Sequence, residues 1–139
     1  MNEHIANPRV LVVDDERIIA DTLALILNRS GFETTAVYSG EMAVEIAKAL
    51  KPNFLISDVT MGTMSGIEAA TKIRQAVPSC RVILFSGQAA NADRTAAAGE
   101  LHPFEILMKP VHPRVFLQRL SGLASTAHQN LSVLVPEMA

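Results

Sequence analysis

The chain has 139 residues and 49% of them are hydrophobic, which predicts a single globular domain and excludes a disordered chain. Its formal net charge of −2 argues against direct nucleic-acid binding. No apolar run approaches the roughly 18 residues that a membrane helix needs, and the first residues lack the apolar stretch of a secretory signal. Cys80 has no second cysteine to pair with, so it is expected to be a semi-buried filler. We therefore expect a soluble cytoplasmic protein without membrane association.

Strand and helix signals alternate along the chain. Short apolar runs predict strands, and apolar residues spaced three and four apart predict helices. The predicted strands are residues 10–13, 34–37, 54–57, 82–85 and 104–108. The predicted helices are residues 17–30, 40–50, 66–77, 89–98 and one that opens at Pro113. This alternation predicts βαβ units, a parallel sheet and two layers of helices.

Local signals define several of the helix ends. Gly31 is a natural stop after the first helix, Ser39 can cap the second, and Pro78 ends the third. The inner face of the first helix is expected to comprise Ile19, Leu23, Ile26 and Leu27. The strand at 34–37 is short and partly polar, as an edge strand should be.

Four of the predicted strands end in polar side chains that carry chemistry. In an open parallel sheet the ligand site lies beyond the carboxyl ends of the strands. Carboxylates, a hydroxyl and an amine at these ends predict one phosphate-handling site. Its residues are Asp14, Asp15, Asp58, Ser86 and Lys109.

The acidic residues suggest a metal site and a nucleophile. Adjacent carboxylates at Asp14 and Asp15 repel each other unless a cation neutralises them, and oxygen-only ligands suit Mg²⁺. The alternative is an acidic first helical turn, which Glu16 would extend. If the first and third strands are neighbours, Asp58 comes close to Asp15. One carboxylate is then free to accept a phosphoryl group.

Lys109 and Ser86 complete this predicted site. The ammonium of Lys109 can pair with Asp58, and the Lys109–Pro110 step restricts the lysine backbone and can adopt cis. The hydroxyl of Ser86 can donate to a phosphoryl oxygen. Taken singly, Lys109 is better interpreted as an exposed lysine at a strand end, and Ser86 as a turn residue before Gly87. Their joint occurrence at strand ends favours the functional interpretation.

Four stretches together resemble the receiver domain of response regulators in two-component signalling. They are residues 10–16 (VLVVDDE), Asp58 with Met61, Met64 and Gly66, residues 85–87 (FSG) and residues 108–110 (MKP). The resemblance covers residues 8–124, which leaves 125–139 as a C-terminal tail. It implies a flavodoxin-like (βα)5 fold, a doubly wound three-layer sandwich whose five-stranded parallel sheet has the order 2-1-3-4-5.

The resemblance also implies roles for the site residues. Asp58 would be phosphorylated by a histidine kinase or phosphotransfer protein, in a reaction that the receiver itself catalyses and slowly reverses by hydrolysis. Mg²⁺ would be bound directly by Asp15, Asp58 and the backbone carbonyl of Thr60, and through water by Asp14. The output would be a conformational change read by a downstream protein, with homodimerisation open.

In the same family pattern, Ser86 and Lys109 contact the phosphoryl group, and the positions of Thr60 and Gln88 tune its lifetime. The chain departs from the pattern at three places. Ile106 occupies the usual aromatic switch position, Gly62 loosens the loop after Asp58, and residues 101–103 look like an addition. These departures put the usual movement of the fourth helix in doubt, and we expect a modest change there.

Other functions fit the sequence less well. A pseudo-receiver that binds proteins without phosphorylation is the main alternative, favoured weakly by Ile106 and the unusual loop. Residues 14–16 would repel the phosphate of a flavin, and no GxxxxGK[ST] loop for nucleotide hydrolysis occurs. The four histidines show no metal-ligand spacing. The tail is interpreted as disordered or as an overhanging helix end, with a docking segment as the alternative.

Overall fold

The computed structural model describes residues 7–87 and 104–127, with side chains through residue 122. Five parallel strands form one sheet in the order β2-β1-β3-β4-β5, which confirms the expected order. The strands are β1 Arg9–Val13, β2 Glu33–Val37, β3 Phe54–Asp58, β4 Arg81–Ser86 and β5 Glu105–Met108. The described helices are α1 Arg17–Arg29, α2 Gly40–Leu50, α3 Gly66–Ala76 and α4 Pro113–Ala127. The predicted helix at 89–98, Gln88, residues 101–103 and residues 128–139 lie outside the described residues.

The central strands are buried on both faces, and this explains their continuous apolar runs. Side chains alternate across the sheet, so Leu11 and Leu55 pack in the core beneath α2 and α3. Val12 and Ile56 point the other way, into the core beneath α1 and α4. The result is three layers, with two separate cores on either side of the sheet.

Helix ends follow local chemistry. The Ser39 side chain accepts a hydrogen bond from the Met42 N–H, so the predicted cap of α2 is confirmed. Ser65 caps α3 in the same way through the Glu68 N–H, a cap that we did not predict. Gly31 follows α1 with a φ of 98°, a left-handed conformation that glycine adopts without strain.

The inner face of α1 differs from the prediction. Its buried residues are Ala20, Leu23, Ala24 and Leu27. Ile19 is 39% exposed, so its assignment to the core was wrong, and Ile26 is only half-buried. The two alanines carry no bulk beyond Cβ, which lets them take inward positions that the larger isoleucines do not occupy. The buried face of α1 keeps helical spacing, but it is rotated about the helix axis by roughly one residue relative to the predicted face.

Cys80 is buried, and burial raises the pKa of its thiol to about 12. Burial and a raised thiol pKa fit the filler that we predicted, although Cys80 is fully buried rather than semi-buried. Within the described residues, no helix combines the length and the apolar character that a bilayer crossing requires.

Gly66 marks a close approach between α3 and β3, the strand that carries Asp58. Its N–H donates to the Val59 carbonyl at 2.8 Å. A Cβ at this position would lie 2.9 Å from the Asp58 carbonyl carbon and closer still to its oxygen. Only glycine allows α3 to begin this close to the end of β3.

We predict that Gly66→Ala lowers the free energy of unfolding by about 2 kcal/mol, because backbone must move to relieve the overlap. Urea unfolding monitored by circular dichroism measures this. Gly62→Ala is the matched control: a Cβ there meets nothing within 4 Å, so its effect should stay within about 0.5 kcal/mol. Equal stabilities of the two variants would contradict the close approach.

Candidate functional site

Four strand ends bring the predicted site residues to one edge of the sheet. Asp14 and Asp15 follow β1, and Asp58 is the last residue of β3. β1 and β3 are hydrogen-bonded neighbours, with Val13 opposite Ser57, as the proximity of Asp58 to Asp15 requires. Ser86 ends β4 and Lys109 directly follows β5.

Three carboxylates form a compact cluster. One oxygen from each of Asp14, Asp15 and Asp58 lies within 4.8 Å of the others. Asp14 and Asp58 are buried, whereas Asp15 is exposed. Carboxylates at this spacing repel one another strongly unless a cation or a proton intervenes.

The buried Asp14 carboxylate is only half satisfied. Its Oδ1 accepts a hydrogen bond from the Glu16 N–H at 2.9 Å, but its Oδ2 is buried and has no hydrogen-bond partner among the described residues. The capping residue of α1 is Glu16, which makes no side-chain cap, so the acidic-turn alternative does not account for this cluster. An unpartnered buried carboxylate oxygen beside two further carboxylates fits a hard cation such as Mg²⁺.

Burial controls the ionisation of these acids. It raises the pKa of Asp14 to about 6, although the hydrogen bond from the Glu16 N–H works in the opposite direction. Burial also raises the pKa of Asp58, and here the Lys109 ammonium and the Thr60 N–H oppose it. The two groups thus share a desolvation penalty, but among the residues that the structure describes only Asp58 forms an ion pair with a cationic side chain.

Both oxygens of Asp58 have partners. Oδ2 lies 3.2 Å from the Lys109 ammonium, and Oδ1 accepts the Thr60 N–H at 3.2 Å. The Lys109 N–H donates to the Ser86 carbonyl at 2.7 Å, and the Lys109–Pro110 peptide bond is cis. Lys109 is therefore not an ordinary exposed lysine. The Ser86 side chain is fully buried at the end of β4, so it is not an exposed turn residue either.

The structure places Ile106, which departs from the receiver pattern, on the same face of the sheet as Phe104. Ile106 and Phe104 are both half-buried and pack against the core beneath α2 and α3, so they share a face of the sheet. The Arg74 guanidinium lies 5.8 Å from the centre of the Phe104 ring. An aromatic side chain is thus present on this face, two residues before the usual position.

Two residues around Lys109 were missed from sequence. The Lys109 ammonium lies over the Phe85 ring, 5.2 Å from its centre, and the lysine stem passes close to Gly87. Both flank Ser86 in the chain, and that adjacency was the available signal. Their contact with Lys109 joins two strands, so local sequence patterns do not reveal it.

Comparisons with known proteins identify the family of this chain. The response regulator receiver domain family matches residues 10–121. The chemotaxis protein CheY of Thermotoga maritima is 33% identical over 119 residues, which cover 84% of this chain and 97% of CheY. The transcriptional regulatory protein PhoP of Bacillus subtilis is 29% identical over 117 residues, and the match spans 84% of this chain but 48% of PhoP. The chain spans about half the length of several transcriptional regulators that it matches.

Solved structures agree as well. A receiver domain protein from Clostridium thermocellum superimposes with a TM-score of 0.73 at 26% identity, over 92% of this chain and 99% of that one. A CheY-like receiver from Methanospirillum hungatei gives a TM-score of 0.76 over 89% and 98%, and at 24% identity it supports the fold alone. With the strand order, the acidic cluster and the matched residues 10–121, this chain belongs to the response regulator receiver domain family.

Proposed function

We propose that the protein accepts a phosphoryl group on Asp58 from a histidine kinase or phosphotransfer protein, in a Mg²⁺-dependent reaction, and signals by a change of conformation. One observation carries the proposal. The Asp58 carboxylate lies 3.2 Å from the Lys109 ammonium and in one cluster with Asp15 and Asp14, whose buried Oδ2 has no hydrogen-bond partner among the described residues. This arrangement offers a nucleophile paired with one cation and grouped with carboxylates that would suit a second.

The chemistry follows from these groups. A carboxylate oxygen of Asp58 attacks phosphorus, the bond from phosphorus to the donor imidazole breaks, and the leaving nitrogen takes up a proton. The product is an acyl phosphate, which water later hydrolyses to restore the carboxylate and release phosphate. Lys109 balances the added negative charge, and the Ser86 hydroxyl donates to a phosphoryl oxygen. The protein thus catalyses its own modification.

Asp15, Asp58 and the Thr60 backbone carbonyl would hold Mg²⁺ directly, and Asp14 would hold it through water. Bound there, the ion neutralises charge that develops on the phosphoryl oxygens. The cluster supports this assignment because one oxygen from each carboxylate lies close to the others, and because Asp14 also has a buried oxygen without a hydrogen-bond partner among the described residues. Thr60, which is exposed, and Gln88 are assigned to tuning the phosphoryl lifetime.

Residues 8–124 would form the signalling unit, with 125–139 as a tail. Phosphorylation would shift the population between two surfaces, and a downstream protein or a second copy of the chain would bind one of them preferentially. A pseudo-receiver, which would bind proteins without being phosphorylated, remains the second candidate. It is favoured by Ile106, which stands where the family pattern has an aromatic switch residue.

Phosphoryl uptake from acetyl phosphate separates the two candidates. We expect the wild type to gain one phosphoryl group with Mg²⁺ and none without it, and Asp58→Asn to gain none, because the amide is not a nucleophile of this kind. Intact-protein mass spectrometry measures both. No gain in the wild type, under conditions that label a CheY protein, would reject phosphorylation and favour the pseudo-receiver.

A second prediction concerns stability and pH. The folded-state pKa of Asp14, about 6, exceeds the ordinary value of 3.8, so its ionisation destabilises the fold above pH 6 and not below about pH 4. Without Mg²⁺ at pH 8, Asp14→Asn should therefore raise the free energy of unfolding by about 1–3 kcal/mol. This gain should shrink as the pH falls from 7 to 4.

Urea unfolding across this pH range measures the effect. Glu33→Gln makes the same chemical change at an exposed position on β2 and should show no such trend. Mg²⁺ should stabilise the wild type more than Asp14→Asn, because the buried carboxylate then has a partner. A gain that is independent of both pH and Mg²⁺ would contradict the role assigned to Asp14.

A further inference from the structure

Three contacts define the position of the Lys109 side chain. Its ammonium lies 3.2 Å from Asp58 Oδ2 and 5.2 Å from the centre of the Phe85 ring. Its stem passes Gly87 so closely that a Cβ there would lie 3.2 Å from Lys109 Cδ. The side chain remains 27% exposed, so these contacts restrict a group that is otherwise free to turn toward solvent.

Phe85 is itself held firmly. It is 3% exposed and pairs in register with Asp58 on β3 and Leu107 on β5. Its ring meets Phe116 of α4 edge to face, with centres 5.6 Å apart and planes at 70°. Register partners in a parallel sheet point to the same face, so the ring lies beside the Asp58 side chain. Two strands and a helix therefore fix the ring next to Asp58.

We propose that Phe85 is a positioning residue for Lys109, whose ammonium it holds beside Asp58 by a cation–π contact. The face of an aromatic ring attracts a cation, whereas an aliphatic side chain of similar bulk fills the core without this attraction. This inference rests on the proposed function, in which Lys109 balances phosphoryl charge. It adds a specific requirement for an aromatic side chain at position 85.

The test measures the rate constant of phosphoryl uptake from acetyl phosphate with Mg²⁺. Phe85→Leu keeps an apolar side chain but removes the ring, and we expect an uptake about three- to ten-fold slower, within the range of a partly desolvated cation–π contact. Lys109→Met removes the ammonium but keeps an unbranched stem beside Gly87. In that background Phe85→Leu should change the residual rate by less than about two-fold.

Phe54→Leu is the matched control. Phe54 is 5% exposed in the same core as Phe85 but lies at the opposite end of β3 from Asp58. We expect Phe54→Leu to lower the free energy of unfolding about as much as Phe85→Leu does, without slowing phosphoryl uptake. A fall of equal size in both Lys109 backgrounds, or no fall with Phe85→Leu, would overturn the inference while the proposed function stands.

If the wild type takes up no phosphoryl group, the proposed function fails and the inference is decided by unfolding. The wild type, Phe85→Leu, Lys109→Met and the double variant then form a double-mutant cycle, with stability measured by urea unfolding. The Phe85–Lys109 contact should appear as a coupling of about two-fold or more in the folding equilibrium constant. Additive effects of the two substitutions would overturn the inference by this second route.

Discussion

The ion pair between Asp58 and Lys109 is the interaction on which the site depends. Asp58 is almost fully buried, and a buried carboxylate without a partner favours its protonated, non-nucleophilic form. Lys109 offsets this cost from 3.2 Å. The Lys109 side chain is 27% exposed, so the pair is open to solvent on the lysine side, where the proposed phosphoryl donor would approach. Removal of either partner would leave the other uncompensated.

The fold places two further carboxylates beside the Asp58–Lys109 ion pair. Parallel order brings the ends of β1 and β3 together and so crowds three carboxylates, one of which has an oxygen without a partner among the described residues. Gly66 lets α3 begin against the Asp58 backbone, which fixes the strand end from the other side. The crowding that costs stability is also what suits the edge to a divalent cation. In the proposed function, the same crowding would both destabilise the fold and hold the cation.

Aromatic side chains lie on both faces of the sheet. Phe85 is close to the carboxyl edge that carries the site, whereas Phe104 directly precedes β5, at the opposite edge. Phe104, with Arg74 over its ring, shares a face with Ile106 beneath α2 and α3. Phe85 and Phe116 pack on the other face, toward α1 and α4, and Phe85 lies beneath the ammonium of Lys109. The aromatic contact with the site therefore comes from the α1 and α4 side in this chain, while position 106 is aliphatic.

The sequence by itself determined the alternation of strands and helices, the Ser39 cap and the placement of five polar residues at strand ends, because periodicity, capping and strand termination are local. Only the tertiary structure decided what those residues contact. Three features depend on how distant segments pack: the Asp14 oxygen that lacks a hydrogen-bond partner in the described part of the chain, the exposure of Ile19 and the ring beneath Lys109. Strand order came from the family resemblance, since alternation alone is compatible with several orders. Contacts between strands join residues dozens of positions apart, and no local pattern encodes them.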